Sequence, residues 1–486
     1  MCGMQFGDEG KGTFIDYVAH EKQVDAIIRY NGGSQSSHTV ITPEGTLHKF
    51  SQLGSGMFLD KCHTYITENM VVNPDNLMVE LEYFSKATGI SIPNLIRRIH
   101  IHENCLVVTP YHKLLNRLRE LSKGKERRGS VGTGVSEVRY LLQEQEKNQG
   151  VPYELPLGLQ IKDIYQKDTN NSIIGRIEAL QSYVEEFYHQ NQSAIWRNMP
   201  EEMKENMKKE IDYLLYPQAF FKIAWNYVKN LKQAPKDFNL SQCIYSTYEQ
   251  TLRKKCVNTI WEGSQGLLID GEYGIKPNTT FLDTTNQFAL SIAYRNDILK
   301  KVGIAKAFTT RHGAGVFPTE TVEVSSRIFD QNQNESFWNG KLRFGWLDAI
   351  LLRYAQKINQ VDELYLSCLD QLSGFETVKI CNSYLYPGKI EKEFEELFQY
   401  EVTQEGNIRI TDIKENGEHL SKYLEKCIPQ YIEMPGWQED ITKVTSKELL
   451  PEKCKTYISI IEILTDIPIT VVSVGPTREN KIKVKA

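Results

Sequence analysis

The chain has 486 residues, 40% of them hydrophobic, enough for a large buried core and, on length alone, two to four domains. Its formal net charge of −5 excludes the strongly basic surface of a nucleic-acid or anionic-membrane binder. Nine cysteines, an odd number with no C-x-x-C pair, argue for reduced thiols and against a disulfide framework or zinc cluster. No apolar run approaches the ~18 residues of a membrane span, and the first residues lack a charged-then-apolar signal pattern, so a cytoplasmic protein is expected.

Gln5-Phe6-Gly7-Asp8-Glu9-Gly10-Lys11-Gly12-Thr13 comes first and carries the densest chemistry. Its glycines let backbone N–H groups approach an oxyanion, and the periodic run Phe14, Ile15, Val18 behind it predicts a helix whose N-terminal dipole end faces the same ligand. Lys11 offers a point charge for phosphate, and Asp8 a ligand for Mg²⁺ or an acceptor for a proton. It is not a Walker A loop, which has glycine where Gln5 stands and Ser or Thr where Gly12 stands. Only Met1 to Met4 precede it, so either the strand such a loop requires is a stub or the start lies upstream.

Strands are expected at 24–30, 48–50, 64–66 and 99–108, with a polar loop at 31–40 and a helix over 75–85 behind Pro74. Residues 124–134 are basic and glycine-rich, the composition of a loop that closes over an anion. Residues 173–256 read as a charged helical cover: Ile177, Leu180, Tyr183, Val184 and Phe187 fall at helical spacing, as do Phe220, Ile223, Ala224, Tyr227 and Leu231. Strands return at 257–261, 305–310, 364–368 and 469–473, each ending in a polar loop, with a helix over 457–464. This pattern predicts an α/β fold: a large, mostly parallel central sheet with flanking helices, forming one domain with a helical insertion at about 160–256. Ligands of such sheets bind at the carboxyl ends of the strands, where the polar loops converge.

Eight stretches in order give the chain a specific resemblance. Gly7-Asp8-Glu9-Gly10-Lys11-Gly12, Tyr30-Asn31-Gly32-Gly33 with His38-Thr39, and Trp261-Glu262-Gly263-Ser264-Gln265-Gly266 are similar to motifs of the adenylosuccinate synthetases. So are Thr310 to Gly315 with Phe317-Pro318-Thr319-Glu320, Gly345-Trp346-Leu347-Asp348, Leu369-Asp370, Met434-Pro435-Gly436-Trp437 and Gly475-Pro476. The resemblance implies a GTP-dependent ligase joining aspartate to C6 of IMP with Mg²⁺, in a cytoplasmic homodimer.

By that resemblance Asp8 is base and metal ligand, His38 and Lys11 act on the transferring phosphoryl group, and Gln265 completes the catalytic set. Gly7, Gly10, Gly12, Thr13, Asp370, Gly475 and Pro476 would bind the nucleoside triphosphate, with Asp370 accepting from guanine N1–H and its amino group. Gln35, Ser130, Thr133, Thr280, Arg311, Lys341 and Arg343 would hold the acceptor nucleotide and aspartate, and the Ser37 carbonyl would join Asp8 on Mg²⁺.

Departures from the family pattern leave alternatives open. Ser34-Gln35-Ser36-Ser37-His38 replaces His-Asn-Ala-Gly-His, Val131-Gly132-Thr133-Gly134 replaces Thr-Gly-Arg-Gly, and Cys368 stands where a lysine is usual. The loop at 337–346 keeps Lys341 and Arg343 but has lost the other arginines. The serine-rich loop is similar to that of a phage-type branch acting on dGMP, whereas the retained Asp8 is not. IMP is therefore the favoured acceptor and GMP or dGMP the alternative, ATP could replace GTP, and a non-catalytic nucleotide binder is the third reading.

Overall fold

The computed structural model describes residues 1–147, 158–165, 170–215, 243–246, 256, 258–292, 299–328, 337–338, 340–414 and 419–485. The chain divides into two compact units: Met1–Glu21 with His38–Leu47 and Glu262–Ala486, and Lys22–Ser37 with His48–Trp261. Both are built on mostly parallel α/β sheets.

In the first unit a five-stranded sheet runs in the order Cys2–Gly3, Val302–Lys306, Glu363–Ser367, Ile469–Ser473 and Lys481–Lys483. The first four strands are parallel and the last is antiparallel. Cys2–Gly3 is a two-residue strand, and its pairing is extended by side-chain chemistry. Gln5 accepts from the Lys306 N–H at 3.0 Å and donates to the Phe308 carbonyl at 3.1 Å, carrying the pairing beyond the strand.

Helix Lys11–Lys22 covers one face of this sheet, where Phe14 packs among Val302, Ile304, Tyr365 and Val471. The other face buries the larger core, which holds Ile350, Leu351, Tyr457 and Ile461 together with the fully enclosed Trp346 and Trp437. Helix Ala349–Asn359 is capped by Asp348, whose Oδ1 accepts from the Ile350 and Leu351 N–H groups at 3.1 Å each. A second, mixed sheet in this unit is organised around the long strand Thr377–Tyr386.

The second unit has a five-stranded sheet in the order Ile244–Tyr245, Ile99–His102, His63–Ile66, Ala26–Arg29 and Thr259–Glu262. Beside it lies a four-stranded sheet of Leu159–Gln160, Leu106–Val107, Met70–Val72 and Gly32–Gly33. Helix Pro110–Lys123 opens with a capping box between Thr109 and His112 and packs against helix Asn170–Asn198. That long helix and Glu201–Leu215 form the described part of the expected helical block. Phe220, Ile223, Ala224, Tyr227 and Leu231 lie outside the described residues.

Two expected strands are each two. The 99–108 segment breaks at a turn in which the Cys105 N–H bonds the His102 carbonyl at 3.0 Å, and its halves enter different sheets. The 305–310 segment breaks at Ala307-Phe308, and Thr309–His312 then pairs antiparallel with Leu342–Gly345. Apolar continuity hid the break at Ala307-Phe308, whose buried residues carry no polar signal, whereas the turn at 102–105 holds Glu103 and Asn104, a polar interruption between two apolar runs. The expected loop at 31–40 contains one short strand, Gly32–Gly33, and the start of another, His38–Ile41.

Candidate active site

The loop Gln5–Thr13 is shaped from inside by Glu9, a fully buried carboxylate. Its Oε1 accepts from the backbone N–H groups of Gln5 at 3.1 Å and Gly7 at 2.9 Å, and its Oε2 receives the Lys11 ammonium at 2.5 Å. Lys11 also donates to the Gln265 carbonyl at 2.6 Å, tying the loop to the segment after strand Thr259–Glu262. The approach is close enough that a Cβ at Gly266 would lie 2.3 Å from the Gln5 carbonyl oxygen. Glu9 was not singled out from sequence, since nothing in the pair Asp8-Glu9 says which carboxylate turns inward.

Six described residues other than glycine have a positive φ. Gln23, Gln360 and Asp466 follow or cap helix ends, where this conformation is ordinary. Asp8 at 59°, Gln265 at 61° and Cys368 at 58° follow no helix, and stand instead just after the strands Cys2–Gly3, Thr259–Glu262 and Glu363–Ser367. Strain of this kind persists where surrounding structure over-determines it, and it clusters at functional sites.

Asp8 places Oδ2 3.2 Å from His312 Nε2, with about a third of its side chain accessible (35%). Burial works against its charge. The His312 hydrogen bond and the charges of His312, Lys306 and Lys11 outweigh that and hold the carboxyl down at about 2. His312 and Lys306 are contributors that sequence reasoning passed over; the polar end of a strand was the only available signal.

His38 is buried and lies behind the loop: a Cβ on Gly12 would come 2.9 Å from the His38 Cβ. Its Nδ1 lies 2.5 Å from Oε1 of Glu262, itself fully buried. A carboxylate there fixes the ring's orientation and the tautomer with hydrogen on Nδ1. Glu262, inside the Trp-Glu-Gly motif, is a second site residue that motif and spacing alone leave without a role.

The expected nucleotide-binding residues gather at one edge of the same sheet. The Thr13 hydroxyl donates to the Pro476 carbonyl at 2.9 Å, and a Cβ on Gly10 would meet Ser367 Cβ at 3.4 Å. Ser367 ends the strand leading to Asp370, and its buried hydroxyl has no partner among the described residues. Burial pushes the Asp370 carboxyl up to about 6, with Asp440 adding to the rise and Lys481 opposing it.

Thr280 is buried, its N–H on the Ile269 carbonyl at 2.8 Å. Arg311 is 2% exposed, with its guanidinium over Phe6 at 4.4 Å and its amino groups on the carbonyls of Val316 at 2.6 Å and Asn278 at 3.0 Å. Arg343 donates to the carbonyls of Gly313 at 3.0 Å and Gly315 at 2.8 Å, and pairs with Glu320 at 2.5 Å. The two arginines thus pin the 313–316 loop from either side, while Lys341 is exposed.

In the second unit, both amide atoms of Gln35 and the Ser34 hydroxyl are buried without a partner among the described residues. A Cβ on Gly33 would lie 3.0 Å from Gln35 Oε1 and 2.7 Å from Val135 Cγ1, so Gln35 neighbours the basic glycine loop. There Ser130 donates to Asn116 at 2.9 Å, and Thr133 stands between Gly132 and Gly134, both at positive φ. Ser37, the expected second metal ligand, is exposed.

Among the described residues no group of three or more His, Cys, Asp or Glu could hold a metal. A single hard carboxylate such as Asp8 suits Mg²⁺, which takes one or two carboxylates and completes its shell with phosphate oxygens and water. Also among the described residues, no helix is long and apolar enough to cross a membrane.

A phosphate-type loop, a strained and ionised carboxylate, and a carboxylate-oriented histidine on a mostly parallel α/β sheet describe a nucleotide-using enzyme. The family model for adenylosuccinate synthetase matches residues 1–482. The adenylosuccinate synthetase of Alkaliphilus metalliredigens is 32% identical over 486 residues, covering 99% of this chain and 97% of that protein. That of an Exiguobacterium species is 31% identical with the same coverage. The solved structure of fully ligated adenylosuccinate synthetase from Plasmodium falciparum has the same fold, at a TM-score of 0.73 and 22% identity, over 100% of this chain and 99% of that one. The chain belongs to the adenylosuccinate synthetase family and is a carbon–nitrogen ligase of purine biosynthesis.

Proposed function

We propose that the enzyme joins L-aspartate to C6 of IMP at the expense of GTP, through a 6-phosphoryl intermediate. The observation that carries the reading is Asp8, ionised and held in a strained backbone beside the phosphate-type loop. Oxygen at C6 is a poor leaving group, so it must first become a phosphate. Removing the N1 proton makes O6 nucleophilic; O6 then attacks the γ-phosphorus, the bond to the β-phosphate oxygen breaks, and GDP leaves. Aspartate's amine next attacks C6, and inorganic phosphate departs with the original O6.

With its carboxyl held at about 2, Asp8 is a weak base in the resting enzyme. Proton transfer to it is therefore favourable only as the O6–phosphorus bond forms and draws electrons from the ring. The loop amides and Lys11 stabilise charge on the transferring group, and His38, oriented by Glu262, donates toward the γ-phosphate. Asp8 would hold Mg²⁺, which would neutralise phosphate charge when bound. Lys341 and Arg343 supply the cations for the aspartate carboxylates, while the buried Arg311 holds the 313–316 loop in place. A cytoplasmic homodimer belongs to the same reading.

The unsatisfied tips of Ser34 and Gln35 favour a second acceptor, GMP or dGMP, whose 2-amino group brings one more donor. Incubation with GTP or ATP, Mg²⁺, aspartate and each of IMP, GMP and dGMP, read by mass spectrometry, separates the readings. Succinylated IMP is expected. Succinylated GMP or dGMP alone would replace the acceptor, and bound but unchanged nucleotide in every mixture would leave a non-catalytic binder.

A further inference from the structure

Lys481 opens the last strand of the first unit's five-stranded sheet, directly across from Ser473. The next strand pairing sets Val472 beside Leu366, so Lys481 stands at the same sheet edge from which Ser367, Cys368 and Asp370 emerge. The lysine is buried, 8% exposed, an unusual place for an ammonium. Its Nζ donates to the Thr477 carbonyl at 2.7 Å and the Gly475 carbonyl at 3.1 Å, and lies 5.6 Å from the centre of the Phe14 ring. Two of its three N–H groups are thus used.

Asp370 provides the complement. Among the described residues its carboxylate receives no hydrogen bond beyond its own backbone N–H. Lys481 and Asp370 each stabilise the other's charged form, yet they form no ion pair within 4.0 Å. A buried donor and a half-buried acceptor are therefore held near each other, unpaired, at the end of the sheet where Thr13 meets Pro476. Burial has a cost for both groups that their own contacts do not remove, as expected of a pair completed by a ligand.

We propose that Lys481 is a specificity residue for the nucleotide base, its remaining N–H donating to the C6 carbonyl of guanine while Asp370 accepts from N1–H and the 2-amino group. The cation missing at Cys368 is thereby supplied from the C-terminal strand. This rests on the reading of Asp370 as the guanine acceptor.

The test compares GTP with 6-thio-GTP, which keeps both donors to Asp370 and weakens only the acceptor at C6. Titration calorimetry on wild type, Lys481→Met and Lys481→Arg gives the affinities. Wild type is expected to bind GTP roughly tenfold more tightly than 6-thio-GTP, the worth of one charge-assisted hydrogen bond. Lys481→Met should bring GTP to the 6-thio-GTP level while changing 6-thio-GTP by less than about twofold, and Lys481→Arg should keep part of the preference. Equal weakening of both ligands, as a merely structural lysine would give, overturns the proposal. So does equal affinity for the two in wild type, a result that stands even if Lys481→Met does not fold. Equal affinity of wild type for GTP and ATP would show instead that the Asp370 reading fails, and the proposal with it.

Discussion

His38 Nδ1 stands 2.5 Å from Oε1 of Glu262, and both side chains are withdrawn from solvent. The carboxylate thus acts on chemistry only through the ring it orients. Glu262→Gln preserves size and an acceptor oxygen but removes the charge. We expect kcat to fall by about 10²-fold, the scale of a misaligned acid–base group, while KM for GTP shifts little. Steady-state kinetics checks this; an unchanged kcat would reduce Glu262 to a packing residue.

Asp8→Asn is nearly isosteric and cannot take a proton. Turnover should drop by roughly 10²- to 10⁴-fold, with GTP binding retained. Single-turnover kinetics alongside a binding titration separates the two effects. Turnover near the wild-type rate would remove Asp8 from the base role.

Glu9 and Lys11 form a buried ion pair with a shared structural duty. Glu9→Gln leaves the Lys11 ammonium buried without its counter-charge, a change that costs about 3–5 kcal/mol in comparable pairs. Glu9→Gln combined with Lys11→Met should recover much of that stability without recovering activity. Denaturant unfolding of the three proteins reads the result, and additive losses in the double variant would contradict the coupling.

Because burial lifts the Asp370 carboxyl to about 6, the group is protonated, and lost as a two-fold acceptor, as pH falls through that value. GTP affinity should therefore decline by about tenfold between pH 7 and pH 5. Asp370→Asn should lose that dependence and prefer xanthosine triphosphate, whose C2 carbonyl accepts from the amide. A titration of GTP affinity against pH in both proteins is the check. Parallel profiles would place the titrating group elsewhere.

Much of this arrangement was legible in the chain. Apolar runs ending in glycine-bearing polar loops gave the parallel strands after Glu363 and Ile469, and the charge pattern of residues 5–13 marked the phosphate-type loop. The illegible parts depend on which way a side chain turns or on long-range pairing. Glu9 turns into the protein and Asp8 away from it, His312 reaches Asp8 across about 300 residues of sequence, and Lys481 joins Asp370 only through strand register. Neither helical nor strand periodicity encodes such relationships.

The central claim is that oxygen at C6 is phosphorylated before nitrogen replaces it. IMP labelled with ¹⁸O at C6, incubated with the enzyme, GTP, Mg²⁺ and aspartate, tests it directly by mass spectrometry of the released phosphate. The label should appear in inorganic phosphate in step with succinylated product. Product formed with unlabelled phosphate would contradict the account.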